Sequence, residues 1–260
     1  ALQKAIEYEK WLDALPVAAA AGMSTPQQQS ALECALRLGR SNLSENESKQ
    51  LISAWGIPVT REMAADLPDA AVAAAQQIGN PVAVKVNSPD ILHKTEAGAI
   101  RIGLRSADEV RTAYRDIIAS VKRYAPSANI EGVLVQEMVT GGTEVIVGVS
   151  YDAQTGPMLL FGIGGVMVEI YKDVSLRRCP ITHGEAMNMI MEVKGARLLQ
   201  GFRGSAPSDI DALADALVRT SQMAVHLEGR LGELDINPLM VLPKGKGVMA
   251  VDALAVMRAI

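Results

Sequence analysis

Two rhythms of apolar residues alternate along the chain, and each change of rhythm marks the end of an element. Short β-branched and aliphatic runs at residues 57–60, 82–86, 100–104, 133–136, 144–151, 158–162, 232–236 and 247–251 predict strands. Residues 68–79, 106–124, 183–198 and 208–228 instead space their apolar side chains along one helical face. A further helix, ending at Gly56, begins after Ser44, where Glu47 three residues on completes a capping box. Ser106, followed by Asp108 and Glu109, supplies a second cap. Upstream, helical patterns at 2–15 and 31–39 flank a Pro/Ala/Gly/Ser/Gln-rich passage at 16–30, the composition of a linker. This alternation predicts a mixed α/β (α+β) fold, and the ordered domain is expected to begin near Leu43.

Composition narrows the picture. Of 260 residues, 49% are apolar but only 3% aromatic, so the core has to be built from Ala, Val, Ile, Leu and Met. With 25 basic and 29 acidic residues the formal charge is −4, and no global field draws the chain to nucleic acid or an acidic membrane; neither is expected as a partner. No apolar stretch reaches the length of a bilayer span, and the nearest, at 157–168, is broken by glycines. Cys34 and Cys179 have no metal-ligand spacing and read as inert thiols of a cytoplasmic protein. The N-terminus lacks an initiator Met and a secretory signal, and is read as the cut end of a longer polypeptide or a processed subunit.

Three segments carry candidate chemistry. In Pro81-Val82-Ala83-Val84-Lys85-Val86 a lysine interrupts an apolar strand, so Lys85 either reaches the surface or meets an anion. The loop that follows gathers Ser88, His93, Lys94, Thr95 and Gly98; lysines neutralise phosphate oxygens, and an imidazole can carry a phosphoryl group near neutral pH. Gly164 and Gly165, after the strand at 158–162, let backbone N–H groups approach phosphate or simply serve a tight turn. Glu169 and Asp173 beyond them orient basic groups or are solvated. In Leu231-Gly232-Glu233-Leu234-Asp235-Ile236-Asn237-Pro238 the apolar/polar alternation places Asp235 and Asn237 on one face of a strand that stops at the proline. Asp252 follows the next apolar run. An Asn oxygen and an Asp carboxylate on adjacent strands suit Mg²⁺; the alternative is an ordinary turn at Asn237 and an Asp252 that caps a final helix.

Gly56-Ile57-Pro58, Ile78-Gly79-Asn80-Pro81 through Lys85, Ser88 through Thr95, Val133 through Met138, Glu144 through Val149, Gly156 through Glu169 and Glu233 through Leu239 run in order from about Leu43 to Asp252. Together they resemble the ATP-grasp part of the NDP-forming acyl-CoA synthetases, the superfamily of succinyl-CoA synthetase and the ADP-forming acetyl-CoA synthetases. The resemblance implies two lobes with the nucleotide between them: a nucleotide-binding lobe at about 57–132, and a second lobe at about 133–260 with the 44–56 helix. Residues 1–42 would then be the helical linker or tail of a preceding CoA-ligase portion. It implies ATP/ADP and Mg²⁺ as cofactors, Lys85 on the nucleotide phosphates with Ser88 and Lys94 in the same loop, and Gln136, Glu137 and Met138 leading into an adenine-binding hinge. Glu144 would help hold the nucleotide, and Asn237 and Asp252 would bind magnesium. His93 matches a histidine that in the ADP-forming acetyl-CoA synthetases carries a phosphoryl group. One departure is Leu254, where relatives often show an arginine.

The implied reaction takes carboxylic acid, CoA and ATP reversibly to acyl-CoA, ADP and phosphate. No CoA-binding portion accompanies the ATP-grasp segment, and His183 and His226 lack the motif of the family's other active histidine, so surface or packing roles are expected for both. The chain should therefore need a CoA-binding or CoA-ligase partner, domain or subunit, through which acyl substrate and CoA enter. A regulatory ATP-grasp module of a protein acetyltransferase is the alternative reading.

Overall fold

The computed structural model describes residues 24–37, 39–91, 94–152, 154–164, 172–202 and 204–258. The helix expected at 2–15, and Leu92, His93, Gly165 and Glu169, lie outside the described residues. Among the described residues the strands form two sheets, and within each sheet neighbouring strands run antiparallel.

The smaller sheet has the order β1 (Glu62–Ala65), β4 (Val133–Glu137), β2 (Val82–Val86), β3 (Ile100–Leu104). Two helices cover one face of it: α3 (Pro68–Ile78), entered through a proline in its first turn, and α4 (Ala107–Tyr124), capped by Ser106 and Glu109. On α4 the buried Val110, Ala113, Ile117 and Val121 recur at three- and four-residue intervals. Burying an aliphatic side chain of this size stabilises by about 1.5–3 kcal/mol, which fixes the helix on the sheet.

The larger sheet has the order β10 (Ala253–Met257), β8 (Leu231–Val241), β5 (Thr143–Asp152), β6 (Gly156–Ile163), β7 (Val174–Arg178), and β9 (Val248–Ala250) pairs with β8. Its inner face packs on α5 (His183–Glu192) and α6 (Ile210–His226) around Phe161, Met189, Leu213 and Met223. The same core takes Leu32 and Ala35 from α1 (Pro26–Arg37) and Leu51 and Ile52 from α2 (Glu45–Ala54).

Several expectations are corrected. Residues 133–137 were assigned to the second lobe, but β4 pairs with β1 and β2 and buries Val133 and Val135 in the smaller core. Ile57 belongs to the larger core, and Val59 bridges Ala250, so residues 57–60 form no strand of the smaller sheet. The chain thus crosses between the sheets at about 60–62 and again after 137. Strand β8 does not stop at Pro238. The pairing with β5 slips between Val145 and Val147, so Asn237 and Pro238 together oppose a single residue, and in this bulge the missing proline N–H leaves no ladder bond unmade. Nor does Asp252 cap a final helix, because the residues after it form strand β10. The helix expected at 183–198 ends at Glu192 and continues as a 3-10 turn, Lys194–Leu198, whose first N–H groups are bound by Asp173: Lys194 N and Gly195 N donate to its carboxylate at 3.0 and 2.9 Å.

Gly132, which leads into β4, has φ +111°, and a Cβ there would sit 2.3 Å from the Ala65 carbonyl oxygen of β1. Gly132→Ala is expected to destabilise the fold by about 2 kcal/mol or more. Ser44→Ala, losing a cap, should cost about 1 kcal/mol. Urea unfolding of both variants checks the order; equal effects would count against the backbone clash.

Candidate functional site

Strand β2 carries Val82, Val84 and Val86 into the smaller core, so its period of two turns Ala83 and Lys85 to the opposite face. That face is not open to solvent: Lys85 is 3% exposed. Its Nζ donates to Glu45 Oε1 at 2.8 Å and to the Val251 carbonyl at 3.1 Å, binding the smaller sheet to the first turn of α2. Lys94 approaches the same carboxylate from its other oxygen, with Nζ 3.0 Å from Glu45 Oε2, and donates to Asp252 Oδ1 and Oδ2 at 3.2 and 3.0 Å. A third ammonium, Lys49, is almost wholly buried and donates to Glu45 Oε1 (2.8 Å), Thr60 Oγ1 (3.0 Å), Glu62 Oε2 (2.6 Å) and Gln136 Oε1 (3.1 Å).

These charges hold one another in place. Burial opposes ionisation of Glu45, yet the three lysines, led by Lys85 and Lys94, outweigh it and hold its carboxyl well below the usual carboxylate range. Burial likewise disfavours the Lys94 ammonium, but Glu45 and Asp252 raise its pKa above the ordinary lysine value.

A cavity of about 340 Å³ opens beside this cluster, lined by Glu45, Ser88, Lys94, Asp235, Asn237 and Asp252 among others. A second cavity of about 360 Å³ shares Asp235, Asn237 and Leu254 with it and extends over the open face of the larger sheet past Gly148, Ser150 and Leu160. Together they form a cleft in which the Lys94 ammonium, bound to Asp252, stands among the oxygen ligands of Asp235, Asn237 and Asp252. Burial pushes the Asp235 carboxyl up and the negative charge of Asp252 pushes it the same way, against a hydrogen bond with Asn237. Two mutually repelling carboxylates beside an amide oxygen are a donor set that suits a hard divalent cation. Among the described residues no three or more His, Cys, Asp or Glu side chains are grouped to hold a metal on their own, so part of its shell would come from Asn237, water or a ligand.

The register explains why Asn237 and Asp252 meet. Ala253 pairs with Ile236 and Leu254 with Asp235, and Asn237 N donates to the Asp252 carbonyl at 3.1 Å, so the two residues stand side by side at the end of the β8–β10 ladder. Ser88 also lines the cleft, but its hydroxyl holds the loop: it donates to the Asn129 carbonyl at 2.6 Å and accepts from Asp90 N at 3.2 Å. On the far side of residues 92–93, Ala99 N donates to the Lys94 carbonyl at 2.7 Å.

Other expected residues lie along the β4–β5 connection and line neither cavity. Gln136 is taken up by Lys49; Glu137 binds Arg61, accepting from its N and Nε at 2.7 and 2.8 Å; Met138 is half-buried. Glu144 has an exposed side chain, and its carbonyl accepts from Gly164 N at 2.8 Å. A Cβ on Gly164 would lie 3.0 Å from that carbonyl, so glycine there serves a close backbone approach. His183 Nε2 sits 3.6 Å from Asp215, and His226 packs edge-on against Trp55 with ring centroids 5.8 Å apart. Glu45 and Lys49 were not anticipated as site residues; their i,i+4 spacing was the available signal, but such pairs usually face solvent.

Comparison with known proteins decides the family. Residues 34–257 match the ATP-grasp domain family. The chain belongs to that family. Within it, the beta subunit of acetate–CoA ligase (ADP-forming) II from Pyrococcus furiosus is 40% identical over 227 residues, 87% of this chain and 96% of the relative. The 4-hydroxybutyrate–CoA ligase (ADP-forming) of Nitrosopumilus maritimus is 41% identical over 213 residues, 82% of this chain but 30% of that longer protein. The ATP-grasp fold itself is shared with solved structures. A chain of Ca. Korarchaeum cryptofilum dinucleotide forming acetyl-coenzyme A synthetase 1, in complex with coenzyme A, Ca-AMPCP and HgCl+, superposes with a TM-score of 0.85 at 44% identity, covering 89% of this chain and all of that one. Another structure of that enzyme, with coenzyme A and Mg-AMPPCP and its phosphohistidine segment pointing towards the nucleotide binding site, gives a TM-score of 0.76 at 41% identity over the same share of both chains. These relatives are acid–CoA ligases and synthetases, and they lend no support to an acetyltransferase regulatory module. No helix among the described residues is long and apolar enough to cross a membrane.

Because the lysines depress Glu45 below its ordinary 4.5, its ionised form stabilises the fold above that pH, and the contribution is lost as pH falls through the depressed value. The stability difference between wild type and Glu45→Gln should therefore shrink between about pH 5 and pH 3. Chemical denaturation across that range checks it, and a difference constant with pH would overturn the assignment.

Proposed function

We propose that this chain is the nucleotide-handling part of an ADP-forming acid–CoA ligase, and that His93 takes the γ-phosphoryl group of Mg-ATP and passes it to a CoA-ligase partner. The observation that carries the reading is the cleft itself, where Lys94 meets Asp252 beside Asn237 and Asp235, with the buried Lys85 3.8 Å from the same Asp252 carboxylate. An ammonium group there suits phosphate oxygens, and the oxygen ligands beside it suit the cation that accompanies them.

In the transfer, an imidazole nitrogen of His93 bonds to the γ-phosphorus while the bond to the β–γ bridging oxygen breaks and ADP leaves with that electron pair. Lys94 and Lys85 offset the charge on the phosphate oxygens, and Asp252, Asn237 and the neighbouring Asp235 would hold magnesium, which when bound neutralises part of the triphosphate. Ser88, through Asn129 and Asp90, anchors one end of the loop that carries His93. Gln136 and Glu137 of β4, Met138 after it, Glu144 of β5, and Gly164 and Gly165 are assigned to the nucleotide by family resemblance. The phosphoryl group then passes to the carboxylate of the acid held by the partner, its bond to the His93 nitrogen breaking as acyl phosphate forms, and the CoA sulfur attacks the acyl carbon there and releases phosphate. The beta-subunit relatives support a separate partner and the longer ligases a fused one.

Incubation with γ-labelled ATP and Mg²⁺ should give acid-labile, base-stable label on the chain, absent from His93→Ala. Asp252→Asn should lower the magnesium affinity of labelling by about 10–100-fold, as loss of a metal ligand or its support does. Equal labelling of His93→Ala and wild type would remove His93 as the carrier; tight ATP binding with no label, even with the partner supplied, would sink the transfer.

A further inference from the structure

We propose that Lys49 is a positioning residue for phosphate handling: as the permanent counter-ion of Glu45, it leaves Lys85 and Lys94 able to turn from that carboxylate to the phosphates of a nucleotide. The inference rests on reading the cleft as a Mg-nucleotide site.

Glu45 is a buried carboxylate shared by three ammonium groups, with Lys49 and Lys85 both 2.8 Å from Oε1 and Lys94 3.0 Å from Oε2. The three do not stand alike. Lys49 lies one turn along α2 from Glu45, is 1% exposed, and is enclosed by Thr60, Glu62 and Gln136, so all its donors are used inside the protein. Lys94 borders the cleft, and Lys85 lies 3.8 Å from Asp252, which also borders it.

Any lysine that leaves Glu45 for phosphate strips charge from a buried carboxylate, and an unpaired buried charge is costly. Lys49 reduces that cost because it stays. Without it, Lys85 and Lys94 are the remaining partners of Glu45 and are clamped to it. The six charges Lys49, Lys85, Lys94, Glu45, Glu62 and Asp252 balance, so removing Lys49 also leaves net negative charge next to the phosphate site, and a test has to separate clamping from charge.

Calorimetric titration of the full chain with the magnesium complex of an ATP analogue that cannot be cleaved between β and γ makes that separation, with melting temperatures recorded for each variant. Lys49→Met should raise Kd about tenfold, a coupling of ordinary size for contacting charges. Adding Glu45→Gln should bring Kd back to within about threefold of wild type, because the clamp is gone. Adding Glu62→Gln instead restores the same net charge but leaves Glu45 clamping, so binding should stay weak. Wild-type affinity in Lys49→Met, or equal rescue by the two second substitutions, overturns the proposal. Lys85→Ala tests the underlying reading separately: unchanged affinity there removes the nucleotide site itself. Should Lys49→Met not fold, nitrogen-15 spectra of the lysine ammonium groups in wild type decide. On adding the analogue, Lys85 and Lys94 signals should move and that of Lys49 should not; comparable movement of Lys49 overturns the proposal.

Discussion

A carboxylate taken out of water has to be compensated in full, and Glu45 meets that demand by drawing lysines from three separate stretches of chain. Lys49 comes from its own helix, Lys85 from the middle of the smaller sheet and Lys94 from the loop beyond it. Since α2 packs Leu51 and Ile52 into the larger core, this cluster of charge fastens the smaller sheet to the larger one, beside the buried Ala83 and Leu134 on the same face of the smaller sheet. The two hydrophobic cores are distinct, and the face of the smaller sheet that meets α2 carries Lys85, Gln136 and Glu62. Polar contacts of this kind are costly to build and strict about geometry, so they specify one arrangement of the two sheets.

The same demand explains what was legible in the sequence. Local signals were read well: the capping box at Ser44, the cap at Ser106, strand β2 and helix α4 depend on residues close together in the chain, and each fell where the pattern placed it. A lysine inside an apolar strand left two outcomes, the surface or an anion, and Lys85 meets an anion, but the partner is 40 residues upstream in a stretch that read only as a helix start. The i,i+4 pair Glu45 and Lys49 resembles any solvent-facing helix pair until strands β1 and β4 close over it. Burial of a charged pair is a tertiary fact, and periodicity does not carry it.

Two other departures have the same origin. Strand β4 was apolar enough for either core, and its ladder with β2 decided between them. Strand β8 passes through Pro238 because β5 slips its register by one residue at that point, and nothing near Pro238 announces what the neighbouring strand does. Asn237 and Asp252 were nevertheless found as a pair, since polar residues at strand ends are visible as interruptions of apolar runs. Their side-by-side placement comes from β10, a strand that was not anticipated.

The route of the chain between the sheets has a consequence for how the molecule is put together. Before entering the smaller sheet, the chain docks on β9 through Thr60 N and the Ala250 carbonyl; on leaving, it docks on β8 with Thr143 opposite Val241. Strands β8 and β9 are themselves paired, and Glu62 lies opposite Gln136 across β1 and β4. Residues 62–137 thus begin and end about one strand spacing apart, roughly 5 Å. In chain terms the smaller lobe is an insertion into one side of the larger, entered and left through two adjacent connections beside the paired strands β8 and β9.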